Sequence, residues 1–260
     1  MNTTTSIEKK SSRIEGPDGF IYVEDQGTGN NVPVIFLHSF GGSLSHWEKQ
    51  IDHLRDERRI VAFDFRGHGK SDAPASGDYS VKGYAEDVAA VVDSLGLDRF
   101  ILVGHSQGGA AAIAYASEHP ERVAGLVLAG TPGRSLPEQS KPIIQSLESD
   151  AYQKVMDDYM KTLLTGAKPE VNATVSKDFR AMKRNAAIPI IKAMFEYDPL
   201  PALNRYTGPK LIIATPNEKK MPNSLQNQVK EVEAKTIEGT SHWTQLDKPE
   251  EFNKMLDVFL

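Results

Sequence analysis

The heptapeptide VGHSQGG, Val103–Gly109, sets Ser106 between Gly104 and Gly108 at Gly-x-Ser-x-Gly spacing. It follows an apolar run of strand character, RFILVGH, and opens the alanine-rich segment SQGGAAAIAYASEHP, which reads as a helix ending before Pro120. A serine on such a strand-to-helix turn is lifted clear of the sheet, where its hydroxyl can attack a carbonyl. Its neighbours must be small because helix and strand approach closely there. The helix N-terminus supplies free N–H groups and partial positive charge where an oxyanion would form. The implied chemistry is nucleophilic acyl transfer through Ser106, with the Gln107 N–H as one oxyanion donor. His105 is expected to pack sideways, with no part in the chemistry.

Two further stretches fit that chemistry. LHSFGGSLSHW ends an earlier apolar run, and the Phe40 N–H, two residues after His38, is the expected second oxyanion donor. Ser39 stands there where a glycine is more usual. GTSHWTQLDKPEEF carries His242 in a Gly/Thr/Ser loop between the last strand and the last helix, after Ser106 in the chain. That is the order Ser…acid…His, and His242 is the expected general base. The other histidines lose by position. His46 and His53 fall in a helical region, and His119 lies at a helix end. His68 belongs to the turn FDFRGHGKSD, whose Arg66, Gly67 and Gly69 read as structural.

The positioning elements follow from hydrophobic period. FIYVEDQG alternates as a half-solvated strand does, while VPVIFLH, RIVAFDF, RFILVGH and VAGLVLAG are continuous apolar runs of doubly covered strands. Between them, YSVKGYAEDVAAVVDSLGL repeats apolar residues at helical spacing and stops at Gly96. This alternation means a parallel sheet with helices on both faces. From about Pro132 to Tyr206 the rhythm breaks into amphipathic helices. One carries Tyr152, Val155, Met156, Tyr159, Met160 and Leu163 on one side. Another runs from about Val175 to Phe195, interrupted at Pro189. After Pro209 come KLIIATP, a helix near Asn223–Glu231, AKTIEG, and a last helix from Pro249 to Leu260. The expected division is a flexible tail over 1–12, a core over 13–132 and 207–260, and a helical insertion over 133–206.

Composition bounds the rest. The 260 residues are 39% hydrophobic and 25% charged, values of an ordinary globular chain. A net charge of −5 gives no reason to expect nucleic acid or an anionic membrane as partner. Without cysteine there are no disulfides and no thiolate chemistry. No apolar stretch is long enough to span a bilayer, and the polar start MNTTTSIEKKSSR lacks the apolar region of a secretory signal. A cytoplasmic monomer or homodimer is expected.

With HSFGG, FDFRGHGKSD, GHSQGG and GTSHW in this order, the chain from Ile14 to Leu260 resembles the small cytoplasmic esterase-like members of the α/β-hydrolase superfamily. The resemblance implies an α/β-hydrolase fold: a mostly parallel eight-stranded sheet, its first one or two strands antiparallel, flanked by helices. It implies that the insertion is a cap over the active site, and that no metal or organic cofactor is needed. The triad acid of such proteins follows the strand after the cap. There this chain has TPNE, with Glu218 in place of aspartate and Thr215 in place of glycine. Asp198 and Glu238 are the alternative carboxylates, and a site without a strong acid is the third reading. The expected reaction is cleavage of a small-molecule acyl substrate, an ester, thioester or lactone, through an acyl-enzyme on Ser106. Carbon–carbon bond hydrolysis, perhydrolysis, His242 acting only as a base, and a non-enzymatic ligand sensor are the alternatives. Phe40, Trp243, Met160, Met182 and Ile191 are the expected pocket lining, with ordinary helix–helix core as the competing place for the last three.

Overall fold

The computed structural model describes residues 9–260. Seven strands form one sheet: β1 (Lys10–Gly16), β2 (Gly19–Leu37), β3 (Arg58–Phe63), β4 (Phe100–His105), β5 (Val123–Ala129), β6 (Lys210–Ala214) and β7 (Glu233–Thr236). The 19-residue β2 makes two passes beside β3. Its pairs Val23–Phe63 to Gln26–Ile60 run in opposite senses, whereas Val34–Ile60 to Leu37–Phe63 run in the same sense. The expected eight passes are therefore present, two of them in one continuous strand. From the second pass onward, β4, β5, β6 and β7 follow in parallel register.

β1 corrects the expected tail. Residues 1–8 lie outside the described residues, but Lys10, Ser11 and Ser12 already pair antiparallel with Asp25, Glu24 and Val23. The segment KSSRIEG has a single buried apolar side chain, Ile14, so periodicity could not flag it. Edge strands are commonly polar, because a charged edge resists pairing with another chain.

Side chains on alternate strand positions build two cores. Ile35 and Leu37 of β2, with Phe100 and Leu102 of β4, face α2 (Val81–Ser94) and α3 (Gln107–Glu118). Val34, Phe36, Ile101 and Val103 face the opposite side, toward α1 (Glu48–Leu54) and α11 (Pro249–Phe259). The continuous apolar runs are thus explained by burial on both faces. The FDFRGHG turn after β3 is held by a buried pair: Arg66 Nη2 donates to Asp87 Oδ1 of α2 at 2.7 Å, and the Arg66 amide to Asp87 Oδ2 at 3.1 Å.

Between β5 and β6 the chain forms α4 (Pro137–Glu148), α5 (Tyr152–Leu163), α6 (Pro169–Ala181), α7 (Arg184–Glu196) and α8 (Pro199–Arg205). β5 and β6 still pair directly, Leu126–Lys210 to Ala129–Ile213, so these helices leave the sheet unbroken. The expected interruption at Pro189 is corrected: Pro189 lies inside α7. Proline removes one amide donor, a cost the packed helix absorbs. The chain leaves the helical region earlier, at Met182 and Lys183, with ψ of 127° and 139°. After β6 come α9 (Leu225–Gln228), far shorter than the expected Asn223–Glu231 helix, and then α10 (Thr244–Asp247) before α11. Among the described residues, no helix is long and apolar enough to cross a membrane.

Candidate active site

Ser106 sits between β4 and α3 with φ 53° and ψ −113°, the one non-glycine residue with positive φ among the described residues. Such backbone costs about 1–3 kcal/mol and persists only when its surroundings enforce it. Here the Ser106 amide donates to the Ala129 carbonyl at 2.8 Å, and its own carbonyl accepts from Gly109 and Ala110 at 2.9 and 3.1 Å. Any side chain on Gly108 would strike the Leu37 and His38 carbonyls. Gln107 is the first residue of α3, so its N–H has no intrahelical acceptor.

His242 precedes α10, and its Nδ1 lies 2.8 Å from Glu218 Oε1, in the short turn after β6. The other Glu218 oxygen accepts the Thr215 amide at 2.9 Å, and Thr215 Oγ1 accepts the Glu218 amide at 3.2 Å. Thr215 thus braces the carboxylate from both ends. With a carboxylate at Nδ1, the neutral imidazole carries its proton there and keeps Nε2 as acceptor. The alternative acids lie elsewhere. Asp198 caps α8, accepting the Leu200 amide at 3.0 Å, and Glu238 is an exposed partner of Lys219 at 3.7 Å.

Gly130 is a site residue that sequence reading missed. It follows β5 with φ 53°, and a Cβ there would come within 2.8 Å of His242 Cε1 and 3.0 Å of Glu218 Oε1. The space for the His–Glu pair is the space of that missing side chain.

The Phe40 loop turns tightly, the Gly42 amide donating to the Ser39 carbonyl at 3.0 Å. Ser39 fits where glycine is more usual because no positive φ is asked of it. His38 accepts the Phe65 amide at Nε2, 3.0 Å, so its Nδ1–H donates to the Ser39 carbonyl at 2.8 Å. α6 packs on this loop: the Phe179 ring stands edge-on to Phe40 at 5.4 Å, and Asp178 Oδ2 is 2.9 Å from His46 Nε2.

Ser106, Gln107, Phe40, His242 and Glu218 border one cavity of about 340 Å³. Its far wall comes from α4, α5 and α7, with Leu147, Met156, Leu163, Ile190, Ile191 and Phe195 among its apolar residues. Among the described residues, Glu218 and His242 are its only titratable residues besides Tyr159, and no lysine or arginine lines it. Of the four pocket side chains expected beside Phe40, Ile191 lies on the wall and three do not. Trp243 and Met160 are buried against Leu164, Val171 and Val175, a separate small core behind the cavity. Met182 ends α6 and packs on the main core. Tyr159, beside Met160 on α5, is the wall residue instead. It keeps 42% of its surface accessible, yet burial of its hydroxyl pushes the pKa up to about 12. Both hold when the accessible surface faces the cavity. No group of three or more His, Asp or Glu side chains among the described residues is arranged to hold a metal ion.

Three histidines below the site are buried and neutral. Burial lowers the pKa of His38 and of His68 to about 3, and pushes that of His105 well below its ordinary value. Their folded pKa values lie below the unfolded value of about 6.5, so below that pH the unfolded chain binds more protons. Stability contributed by neutral burial is therefore complete above about pH 6.5 and is lost as pH falls toward 3. The slope is about 1.4 kcal/mol per pH unit for each ring. Urea midpoints should agree at pH 7 and 8 and be clearly lower at pH 5; equal midpoints at pH 5 and 8 would contradict neutral burial.

Residues 32–249 match the family model of the alpha/beta hydrolase fold. The chain is 36% identical over 118 residues to 2-hydroxymuconate semialdehyde hydrolase of Pseudomonas sp. (strain CF600), 44% of this chain and 41% of that protein. It is 39% identical over 110 residues to the non-heme chloroperoxidase of Streptomyces lividans, 42% of this chain and 40% of that protein. Both alignments span about two fifths of the relative. Among solved structures, Est816, described as an N-acyl homoserine lactone degrading enzyme, superposes with a TM-score of 0.83 at 26% identity, covering 96% of this chain and all of that one. With the family model matching most of the chain, and the elbow, sheet order and inserted helices in place, the protein belongs to the α/β-hydrolase fold family.

Proposed function

We propose that the protein is a serine hydrolase of neutral carboxylic esters or lactones of modest size. The observation that carries this reading is the 2.8 Å His242–Glu218 pair sharing one cavity with the strained Ser106. His242 Nε2 takes the proton from Ser106 Oγ as that oxygen attacks the substrate carbonyl carbon. The Phe40 and Gln107 N–H groups receive the oxyanion. His242 then returns the proton to the departing alkoxide oxygen, leaving an acyl ester on Ser106. Water, deprotonated by the same nitrogen, cleaves that ester and restores the serine hydroxyl. Glu218 stabilises the imidazolium in both halves. The helices between β5 and β6 act as a cap that encloses the apolar part of the substrate.

The cavity wall supports the substrate class. A carboxylate brought into it would be desolvated with no cation to meet it, at a cost of several kcal/mol. That disfavours carboxylate-bearing substrates and favours neutral acyl chains, a class to which N-acyl lactones belong. A matched pair tests this: a p-nitrophenyl alkanoate against its ω-carboxylate analogue. The neutral ester should be favoured by about 10²-fold or more in kcat/KM; equal values, or preference for the carboxylate, would refute the assignment.

Gly130→Ala should lower kcat on the order of 10²-fold, because the new methyl displaces the imidazole from its carboxylate and small misplacements are that costly. Stability should fall by about 1–3 kcal/mol through the positive φ. An alanine variant with unchanged kcat would show that the pair tolerates the shift.

A further inference from the structure

His105 is expected from the sequence to pack sideways with no part in the chemistry, and its imidazole is fully buried and hydrogen-bonded at both nitrogens. Nε2 lies 3.0 Å from the His242 carbonyl oxygen and Nδ1 lies 3.2 Å from Gln245 Nε2. A carbonyl oxygen can only accept, so Nε2 carries the proton. Nδ1 of the neutral ring is then an acceptor and takes the Gln245 N–H. Gln245 is itself held, its carbonyl accepting from Gln50 Nε2 at 3.2 Å, and Gln50 also donates to Asn253 Oδ1 at 3.1 Å. One donor, the His105 Nε2–H, reaches the carbonyl of His242, and Gln245 fixes the ring that carries it.

The opposite side of the same residue is pinned as well. The His242 amide donates to the Leu163 carbonyl at the end of α5, 3.0 Å, and the Ser241 amide donates to buried Asp247 at 2.8 Å. With N–H and C=O both fixed, the backbone of His242 has no freedom to carry its ring toward or away from the serine. The His105 ring also lies against the His242 ring, centroids 4.7 Å apart. Residue 105 is covalently joined to Ser106, so one hydrogen bond spans nucleophile and base. An apolar side chain of similar volume would fill the space without desolvating a polar ring.

We propose that His105 is a positioning residue: through its Nε2–H bond to the His242 carbonyl it sets the separation between Ser106 and His242. The proposal rests on the serine-hydrolase reading above. His105 does not line the cavity and acts through His242, so its loss should appear in kcat rather than KM. Errors of this kind in the placement of reacting groups cost about 10–10²-fold.

The test compares H105L, H105N and H105Q by steady-state hydrolysis of p-nitrophenyl butyrate, inactivation by a fluorophosphonate, and thermal melting. Gln can place an amide N–H near the position of Nε2; Asn places it near Nδ1, out of reach of the carbonyl. H105L and H105N should lose about 10–10²-fold in kcat and in inactivation rate, with KM within about threefold of wild type. H105Q should recover most of both rates whatever its melting temperature. H105N keeps the comparison decisive if H105L does not fold. Wild-type kcat in H105N or H105L would overturn the proposal, as would equal losses in H105Q and H105N that follow melting temperature. A wild-type protein that the fluorophosphonate leaves unlabelled at Ser106 would instead refute the hydrolase reading, and this role with it.

Discussion

Ser106→Ala is expected to lower kcat/KM for a neutral acyl ester by about 10⁵–10⁶-fold, the loss seen when the nucleophile of such a set is removed. Alanine keeps the Cβ, so the positive φ and the packing around the elbow stay as they are. The melting temperature should therefore move little, and the effect is chemical. Rate above the uncatalysed reaction should survive, because the Phe40 and Gln107 N–H groups can still hold an oxyanion. Adding His242→Ala to Ser106→Ala should cost little more, since the two act as one unit. A Ser106→Ala protein within tenfold of wild type would mean that the chemistry runs through another group.

Glu218→Gln is expected to lower kcat by about 10³–10⁴-fold, and the reason lies in counting acceptors. Glu218 accepts from His242 at one oxygen and from the Thr215 amide at the other. Glutamine has one carbonyl oxygen for these two donors. If that oxygen serves Thr215, the side-chain NH₂ faces Nδ1 and turns the imidazole into the tautomer with its proton on Nε2, which cannot take a proton from serine. If it serves His242, the Thr215 amide is left against an NH₂ group and the charge that stabilises the imidazolium is gone. Both outcomes lower kcat and neither alters the apolar far wall from α4, α5 and α7, so KM should stay within a few-fold. Asp198→Asn and Glu238→Gln, whose carboxylates serve Leu200 and Lys219 rather than His242, should leave kcat unchanged. Retention of full kcat in Glu218→Gln would exclude Glu218 as the acid.

How much of this was legible in the sequence varies with how local the cause is. Ser106, Gln107 and Phe40 were legible because an elbow and a glycine loop are written in adjacent residues, and the strands before them are continuous apolar runs. His242 and Glu218 were legible as positions in a chain order. Only the fold, which folds the turn after β6 back against the loop before α10, distinguishes Glu218 from Asp198 and Glu238. The cavity wall was largely illegible. Tyr159 and Met160 are neighbours on one apolar stripe of α5, and a stripe does not say where a cavity ends and core begins; that depends on how α5 lies against Trp243 and α7. Gly130 looked like an ordinary strand end, since the imidazole that fills its missing side chain comes from more than a hundred residues later. His105 was read as packing because its two hydrogen-bond partners, His242 and Gln245, are equally distant in sequence. Polar β1 escaped notice because its place is set by pairing rather than by an apolar pattern.

The central claim is that Ser106 is an activated nucleophile. Intact-mass and peptide mass spectrometry after treatment with a fluorophosphonate tests it most directly. One phosphonyl adduct per chain is predicted, on Ser106, with its formation slowed in Glu218→Gln and abolished in Ser106→Ala. An unmodified wild-type chain, or an adduct on any other residue, would contradict it.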